Sequence, residues 1–115
     1  MTKPTQSCVF CRIAQKEVPS EILLENDLAL VFADIHPSAP VHYLVVPKEH
    51  IETVSHLTRS HAPIAGELIL LAKEAAHQLG LSGYKLVFNV GRAGGQIVDH
   101  IHLHLLGGWK QVDSN

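Results

Sequence analysis

The chain has 115 residues, enough for one domain with a usable core and too few for separate cofactor and substrate domains. A single domain over 1–115 is expected, with loose tails at 1–7 and 111–115. With 46% hydrophobic and 17% charged residues and a formal charge of −2, the composition is that of an ordinary globular protein and offers no basic field for nucleic acid. No apolar run approaches the ~20 residues of a membrane-spanning helix. The N-terminal MTKPTQSCVF lacks the hydrophobic core of a signal peptide, so the expected setting is cytoplasmic, with no membrane partner.

In chain order, Cys8 to Lys16 reads as a short helix presenting Val9, Phe10 and Ile13, stopped by Pro19. The only two cysteines, Cys8 and Cys11, are spaced C-x-x-C, which in a reducing compartment points to metal or redox chemistry before a structural disulfide. Glu21 to Glu25 and Leu28 to Asp34 are extended runs around the turn-forming Asn26-Asp27 and read as a hairpin. After a Pro-rich connection, the β-branched and aromatic run His42 to Val46 reads as a third, buried strand, left through the loop Pro47-Lys48-Glu49-His50. From Pro63 to Leu79, the apolar Ile64, Leu68, Leu71, Ala75 and Leu79 recur at helical spacing, with Gly80 placed as a C-terminal cap. Tyr84 to Val90 then reads as a strand, Gly91 to Gly95 as a glycine-rich turn, and His100 to Leu106 as a last strand. Short links make neighbouring strands antiparallel. The expected fold class is α+β, a mostly antiparallel sheet with the long helix on one face.

Nine histidines are the anomaly of the composition, and three of them, His100, His102 and His104, alternate with Ile101, Leu103 and Leu105. On a strand this places all three imidazoles on one face and the aliphatic side chains on the other. Three readings stand at this point. The face is solvated, or alternate histidines supply two zinc ligands completed from elsewhere, or one imidazole attacks phosphorus. Imidazole suits the last role because its pKa of about 6.5 leaves the neutral form abundant at pH 7. The preceding Gly91 to Gln96 adds a glycine-rich turn whose backbone N–H groups suit phosphate oxygens. His36, His56, His61 and His77 are read as solvated or locally bonded.

The sequence resembles the histidine-triad family, in its branch of nucleotide-binding purine nucleoside phosphoramidases. The resemblance runs through Phe10-Cys11-Arg12-Ile13, Glu17-Val18-Pro19, Asp34-Ile35, Ala39-Pro40-Val41-His42, Val46-Pro47-Lys48, Asn89, Gly94-Gly95-Gln96 and His100 to Gly108. It implies a five-stranded antiparallel sheet with one long and one short helix, and a homodimer in which two sheets join. By position, His102 is similar to the nucleophile that takes the nucleotidyl group, His104 to the residue at the phosphate and leaving group, and His42 and His100 to supporting histidines. The same resemblance puts Asp34 on the ribose hydroxyls, Phe10, Ile13, Phe32 and Ile35 around a purine, and Asn89, Gly95 and Gln96 along the phosphate path. Some relatives complete a C-x-x-C half-site with two histidines whose counterparts here are His50 and His100, so Cys8, Cys11, His50 and His100 are the implied ligands of a structural zinc.

The implied activity is hydrolysis of nucleoside phosphoramidates or related nucleotide conjugates at the α-phosphorus, through a nucleotidyl-histidine, with release of a nucleoside monophosphate. Two alternatives stay open: a nucleotide-binding or interaction module with vestigial catalysis, and a metal-dependent hydrolase. Two departures from the family pattern stand out. Ile97 occupies a place where some relatives carry a polar residue, and Asp99 replaces the usual aromatic before the triad. Trp109 begins a short tail in a region that helps choose substrates in relatives.

Overall fold

The structure is a computed structural model that describes residues 7–110. Apart from Ser7, the expected loose tails lie outside the described residues. Five strands, β1 Ile22–Glu25, β2 Ala29–Ala33, β3 Val41–Pro47, β4 Tyr84–Phe88 and β5 Leu103–Gly107, form one antiparallel sheet in the order β1-β2-β3-β5-β4. The long helix is α2, Ala62–Gln78, and the short one is α1, Val9–Ala14. This is the fold class expected from the sequence.

Local chemistry sets the boundaries. The Asn26 carboxamide oxygen accepts the backbone N–H groups of Leu28 and Ala29, both at 2.9 Å, and turns β1 into β2. Pro63 sits in the first turn of α2, where its missing N–H has no helical partner to lose. Gly80, at φ 74°, closes the other end, and the Leu81 N–H bonds back to the Ala76 carbonyl at 2.9 Å.

The parity of the strand residues decides which core each joins. Ala29, Val31, Val45, Leu103 and Leu105 pack with Leu68, Leu71, Ala72, Ala75 and Ala76 of α2. Leu30, Phe32, Leu44 and Val46 point the other way and pack with Phe10, Cys11 and Ile13 of α1. His42 and His104 have this second parity, and in register Phe32 lies beside Leu44 and Leu44 beside His104. The second layer over the sheet, made by α1, was not anticipated. It buries the face that carries the histidines, with His100 fully buried and His102 only 8% exposed.

Four elements differ from expectation. The short helix ends at Ala14 rather than running to Lys16, because Lys16 turns to φ 64° and the Glu17 N–H closes onto the Arg12 carbonyl at 2.8 Å. The last strand begins at Leu103 rather than His100. Its ladder with β3 ends at the Val45–Leu103 pair, because two residues further on the partner is Pro47, which has no N–H to give. Two 3₁₀ turns, Val54–His56 and Arg59–His61, lead into α2 and had no clear sequence signal.

Leu105 is fully buried between α2 and the sheet. Leu105→Ala is expected to cost about 2–5 kcal/mol of stability in urea denaturation, and a loss below about 1 kcal/mol would place the main core elsewhere.

Candidate active site

His100, Ile101 and His102 run between the glycine-rich turn and β5 and are held by backbone contacts. The Ile101 N–H donates to the Ile51 carbonyl at 2.6 Å. His102 Nδ1 lies 2.7 Å from the His100 carbonyl, and a carbonyl only accepts. The proton of a neutral His102 is therefore on Nδ1, and Nε2 carries a lone pair. Burial holds the His102 pKa below the ordinary imidazole value, so the neutral form, with its Nε2 lone pair, is the resting form at neutral pH.

His104 has the opposite arrangement. The Ser38 backbone N–H donates to His42 Nδ1 at 3.0 Å, so the proton of a neutral His42 is on Nε2. That proton faces His104 Nδ1 at 3.0 Å, with an Asp34 carboxylate oxygen at 3.3 Å. His104 Nδ1 accepts, so Nε2 carries the proton. The Asn89 carboxamide nitrogen is placed 3.4 Å from this Nε2, and since two donors cannot pair, a protonated Nε2 requires the amide to turn and present its oxygen instead. Burial, with His102 and His42 close by, pushes the His104 pKa down to about 4. The rings of His102 and His104 are 4.9 Å apart, so a lone pair and an N–H stand side by side.

Both groups open into a cavity of about 590 Å³. Of the residues expected at a nucleotide, Phe10, Ile13, Phe32, Asp34, Ile35, Asn89, Gly95, His42, His102 and His104 line it. Gln96 is not among the lining residues. Its side chain is buried inside the turn, accepting the Gly91 N–H at 2.9 Å and donating to the carbonyls of Glu52 at 2.7 Å and Val98 at 2.8 Å. It shapes the turn that presents Gly95. Leu44 and Val18 also line the cavity and were missed, although Leu44 shares the parity of His42 and was legible from it.

Ile97 lies on the cavity wall, 80% exposed. Asp99 pairs with Arg92 at 2.9 Å and does not line this cavity. Trp109 lies under the Lys85 ammonium, 5.1 Å from its ring centre, and is not among the lining residues. His56 and His61 are bonded locally, to Thr53 at 2.8 Å and to Glu49 at 3.3 Å, while His36 lines the cavity mouth.

Two groups of side chains have metal-binding composition among the described residues, and hydrogen bonding separates them. Ligand atoms of Cys8, Cys11, His50 and His100 lie within 4.8 Å of one another. His100 Nε2 donates to the Pro47 carbonyl at 2.8 Å, which leaves the Nδ1 lone pair facing inward. That Nδ1 is 3.2 Å from Cys8 Sγ, 3.4 Å from Cys11 Sγ and 3.2 Å from His50 Nδ1. Zinc bonds of about 2.3 Å to sulfur and 2.0–2.1 Å to nitrogen give tetrahedral edges of about 3.3–3.8 Å, close to these spacings. Burial pushes the Cys8 thiol up to about 11, so an ion must displace its proton. The four residues fit a closed structural zinc site. Asp34, His42 and His104 also lie within 4.8 Å of one another, but the His42 lone pair is already committed to Ser38 and a proton points into the group. That group suits proton handling better than metal binding.

Comparison with known proteins gives consistent matches. The family described as scavenger mRNA decapping enzyme C-term binding matches residues 7–114. The purine nucleoside phosphoramidase of Escherichia coli K12 is 42% identical over 105 residues, spanning 90% of this chain and 88% of that protein. The crystal structure of a HIT family hydrolase from Legionella pneumophila superposes with a TM-score of 0.87 at 46% identity, covering 91% of this chain and 96% of that one. A zinc-bound histidine triad family protein from Mycobacterium smegmatis superposes with a TM-score of 0.78 at 30% identity, covering 88% and 74%.

The neutral, buried imidazoles make stability depend on pH. His100 and His104 are both held down to about 4, chiefly by burial, whereas an unfolded histidine titrates near 6.5. Below about pH 6.5 the unfolded chain takes up protons that the folded chain refuses. The urea midpoint of metal-free protein is therefore expected to be level above about pH 6.5 and to fall from there toward pH 4. A midpoint unchanged across that window would show that these imidazoles are not held neutral.

Proposed function

The chain belongs to the histidine-triad family of hydrolases, and on that premise we propose that it cleaves nucleoside phosphoramidates, or related nucleotide conjugates, at the α-phosphorus. The observation that carries this reading is the pairing, at one end of an apolar cavity, of His102 with its Nδ1 held on the His100 carbonyl and His104 with its Nδ1 held on His42. The likeness to the phosphoramidase of Escherichia coli supports the substrate class.

In the proposed reaction, a purine lies among Phe10, Ile13, Phe32 and Ile35, and Asp34 accepts from the ribose hydroxyls. The Asp34 carboxylate has one oxygen on the His36 N–H at 2.8 Å and the other beside His42, so it is already oriented. The His102 Nε2 lone pair forms a bond to phosphorus as the bond from phosphorus to the leaving nitrogen breaks. His104, protonated when the anionic substrate is bound, gives its Nε2 proton to the departing amine and returns to the neutral imidazole, which meets the difficult part of breaking a P–N bond. Gly95 and Asn89 face the phosphate oxygens. Water then cleaves the nucleotidyl-histidine, releasing a nucleoside monophosphate and restoring the neutral imidazole. Zinc at Cys8, Cys11, His50 and His100 supplies a structural tie between α1 and the segment entering β5, and takes no part in the steps.

The proposed assembly is a homodimer joined through β4. This strand is one edge of the sheet and exposes Tyr84 and Leu86, and α2 exposes Ile69 and Leu70. No helix among the described residues is long and apolar enough to cross a membrane, and the proposed setting is the reducing cytoplasm, in keeping with two free cysteines. Sedimentation equilibrium is expected to give twice the chain mass. A monomer at micromolar concentration would remove the pairing.

Rapid acid quench with an adenosine phosphoramidate is expected to place one nucleotidyl group on the peptide that carries His102. His102→Ala is expected to abolish both adduct and turnover, while a chelator leaves the chemical step in place. A 2′-deoxy substrate is expected to bind more weakly to the parent and equally to Asp34→Ala. Label on another residue would reject the nucleophile, and tight nucleotide binding without turnover would leave a binding module.

A further inference from the structure

The short helix α1 serves two sites at once. Its N-cap residue Cys8 and its buried Cys11 belong to the metal cluster, while Phe10 and Ile13 line the nucleotide cavity. The Phe10 ring is 5.9 Å from that of His100, a cluster residue, and 5.1 Å from that of His102, a cavity residue. Neither Cys8, Cys11, His50 nor His100 lines the nucleotide cavity, so an ion and a nucleotide do not compete for any atom.

A second cavity, of about 450 Å³, reaches Cys8 and His50 from solvent. Val9, Ile97 and Val98 line both cavities and form the wall between them. An ion can therefore reach the cluster without passing through the nucleotide site.

We propose that zinc at the Cys8–Cys11–His50–His100 cluster and nucleotide in the histidine-lined cavity bind with positive linkage through α1. The inference rests on the zinc and nucleotide readings above and adds their coupling. Six residues are too few to hold a helix by themselves, so α1 depends on what it packs against and what ties it down. Its own N-terminal tie is a bond of 3.3 Å from the Cys11 N–H to Cys8 Sγ. Zinc joins both ends of that tie to His50 and His100 and fixes Phe10 where the cavity needs it. A nucleotide packed on Phe10 and Ile13 selects the same placement. Whichever ligand binds first bears the cost of ordering α1, and the second binds an ordered helix. Linkage is reciprocal, so each ligand raises the affinity of the other by one common factor.

The test uses adenosine monophosphate and zinc as probes and requires no turnover. Titration calorimetry gives the affinity of the nucleotide for zinc-loaded and chelator-stripped protein. Competition with a chromophoric chelator gives the zinc affinity of the holoprotein with and without saturating nucleotide. The second measurement starts from loaded protein and stands even where stripped protein loses its fold. The expected result is one zinc per chain and an increase of about fivefold or more, equal in the two directions. Zinc that binds with the nucleotide affinity unchanged, and nucleotide that leaves zinc affinity unchanged, overturn the linkage and leave the metal site standing. Failure to bind zinc overturns the metal site and the linkage with it, and failure to bind the nucleotide in either form overturns the nucleotide reading and again the linkage.

Discussion

A buried neutral imidazole has one N–H and one lone pair, and each must meet a partner or cost about 1–3 kcal/mol. In this protein the backbone meets one of the two for three of the four histidines that matter. The Pro47 carbonyl takes the His100 Nε2 proton, the His100 carbonyl takes the His102 Nδ1 proton, and the Ser38 N–H fills the His42 Nδ1 lone pair. Once those nitrogens are fixed, the character of every other nitrogen follows. His100 offers a lone pair to the cysteines, His102 a lone pair to the cavity, and His42 a proton to His104. The path of the chain thus determines which imidazole turns a lone pair and which a proton toward its neighbours.

Pro47 contributes twice to this arrangement. Its missing N–H ends the ladder between β3 and β5, so residues 100–102 leave the sheet before the strand begins. His100 is then free to meet Cys8, Cys11 and His50 instead of standing in a ladder above β3, while its ring stays anchored to the Pro47 carbonyl. A strand continuing through His100, as the alternation suggested, would have kept all three histidines in one row. The break divides the row between two sites, the metal cluster and the cavity.

Much of this was legible in the sequence, because the signals were local. The hairpin, α2 and the common face of the histidines follow from turn chemistry, helical spacing and the period of a strand. The four-residue metal cluster was reached through resemblance rather than spacing, since His50 and His100 are far from the cysteines in the chain. Phe10 and Ile13 of α1 were legible as its apolar residues, but not that they close a second layer over the sheet, because six residues have too little periodicity to show what they pack against. The placement of the Gln96 side chain was not legible for a related reason. A polar side chain in a glycine-rich turn can face a ligand or close the turn, and here three hydrogen bonds to the backbone of the turn and of the adjoining loop decide it. The role of Ser38 had no sequence signal, because it acts through its backbone N–H.

An acid whose pKa is pushed down to about 4 looks poorly suited to protonate a leaving amine at neutral pH. The burial responsible for that depression also strengthens any charge that enters the cavity. In the proposed complex the substrate brings a phosphate anion, and one negative charge about 4 Å away at an effective dielectric of about 20 is worth about 4 kcal/mol. At about 1.4 kcal/mol per tenfold in proton affinity, that attraction amounts to roughly three pH units, enough to return His104 to the neighbourhood of neutrality. Asp34 already favours the protonated form, and its effect is part of the value of about 4. In the empty cavity the site is held neutral, so His102 keeps its lone pair and no proton is stranded beside it. With substrate bound, the anion that must be attacked also favours a proton on His104, which Nδ1 can hold once the His42 Nε2 proton turns to the Asp34 carboxylate 3.3 Å away.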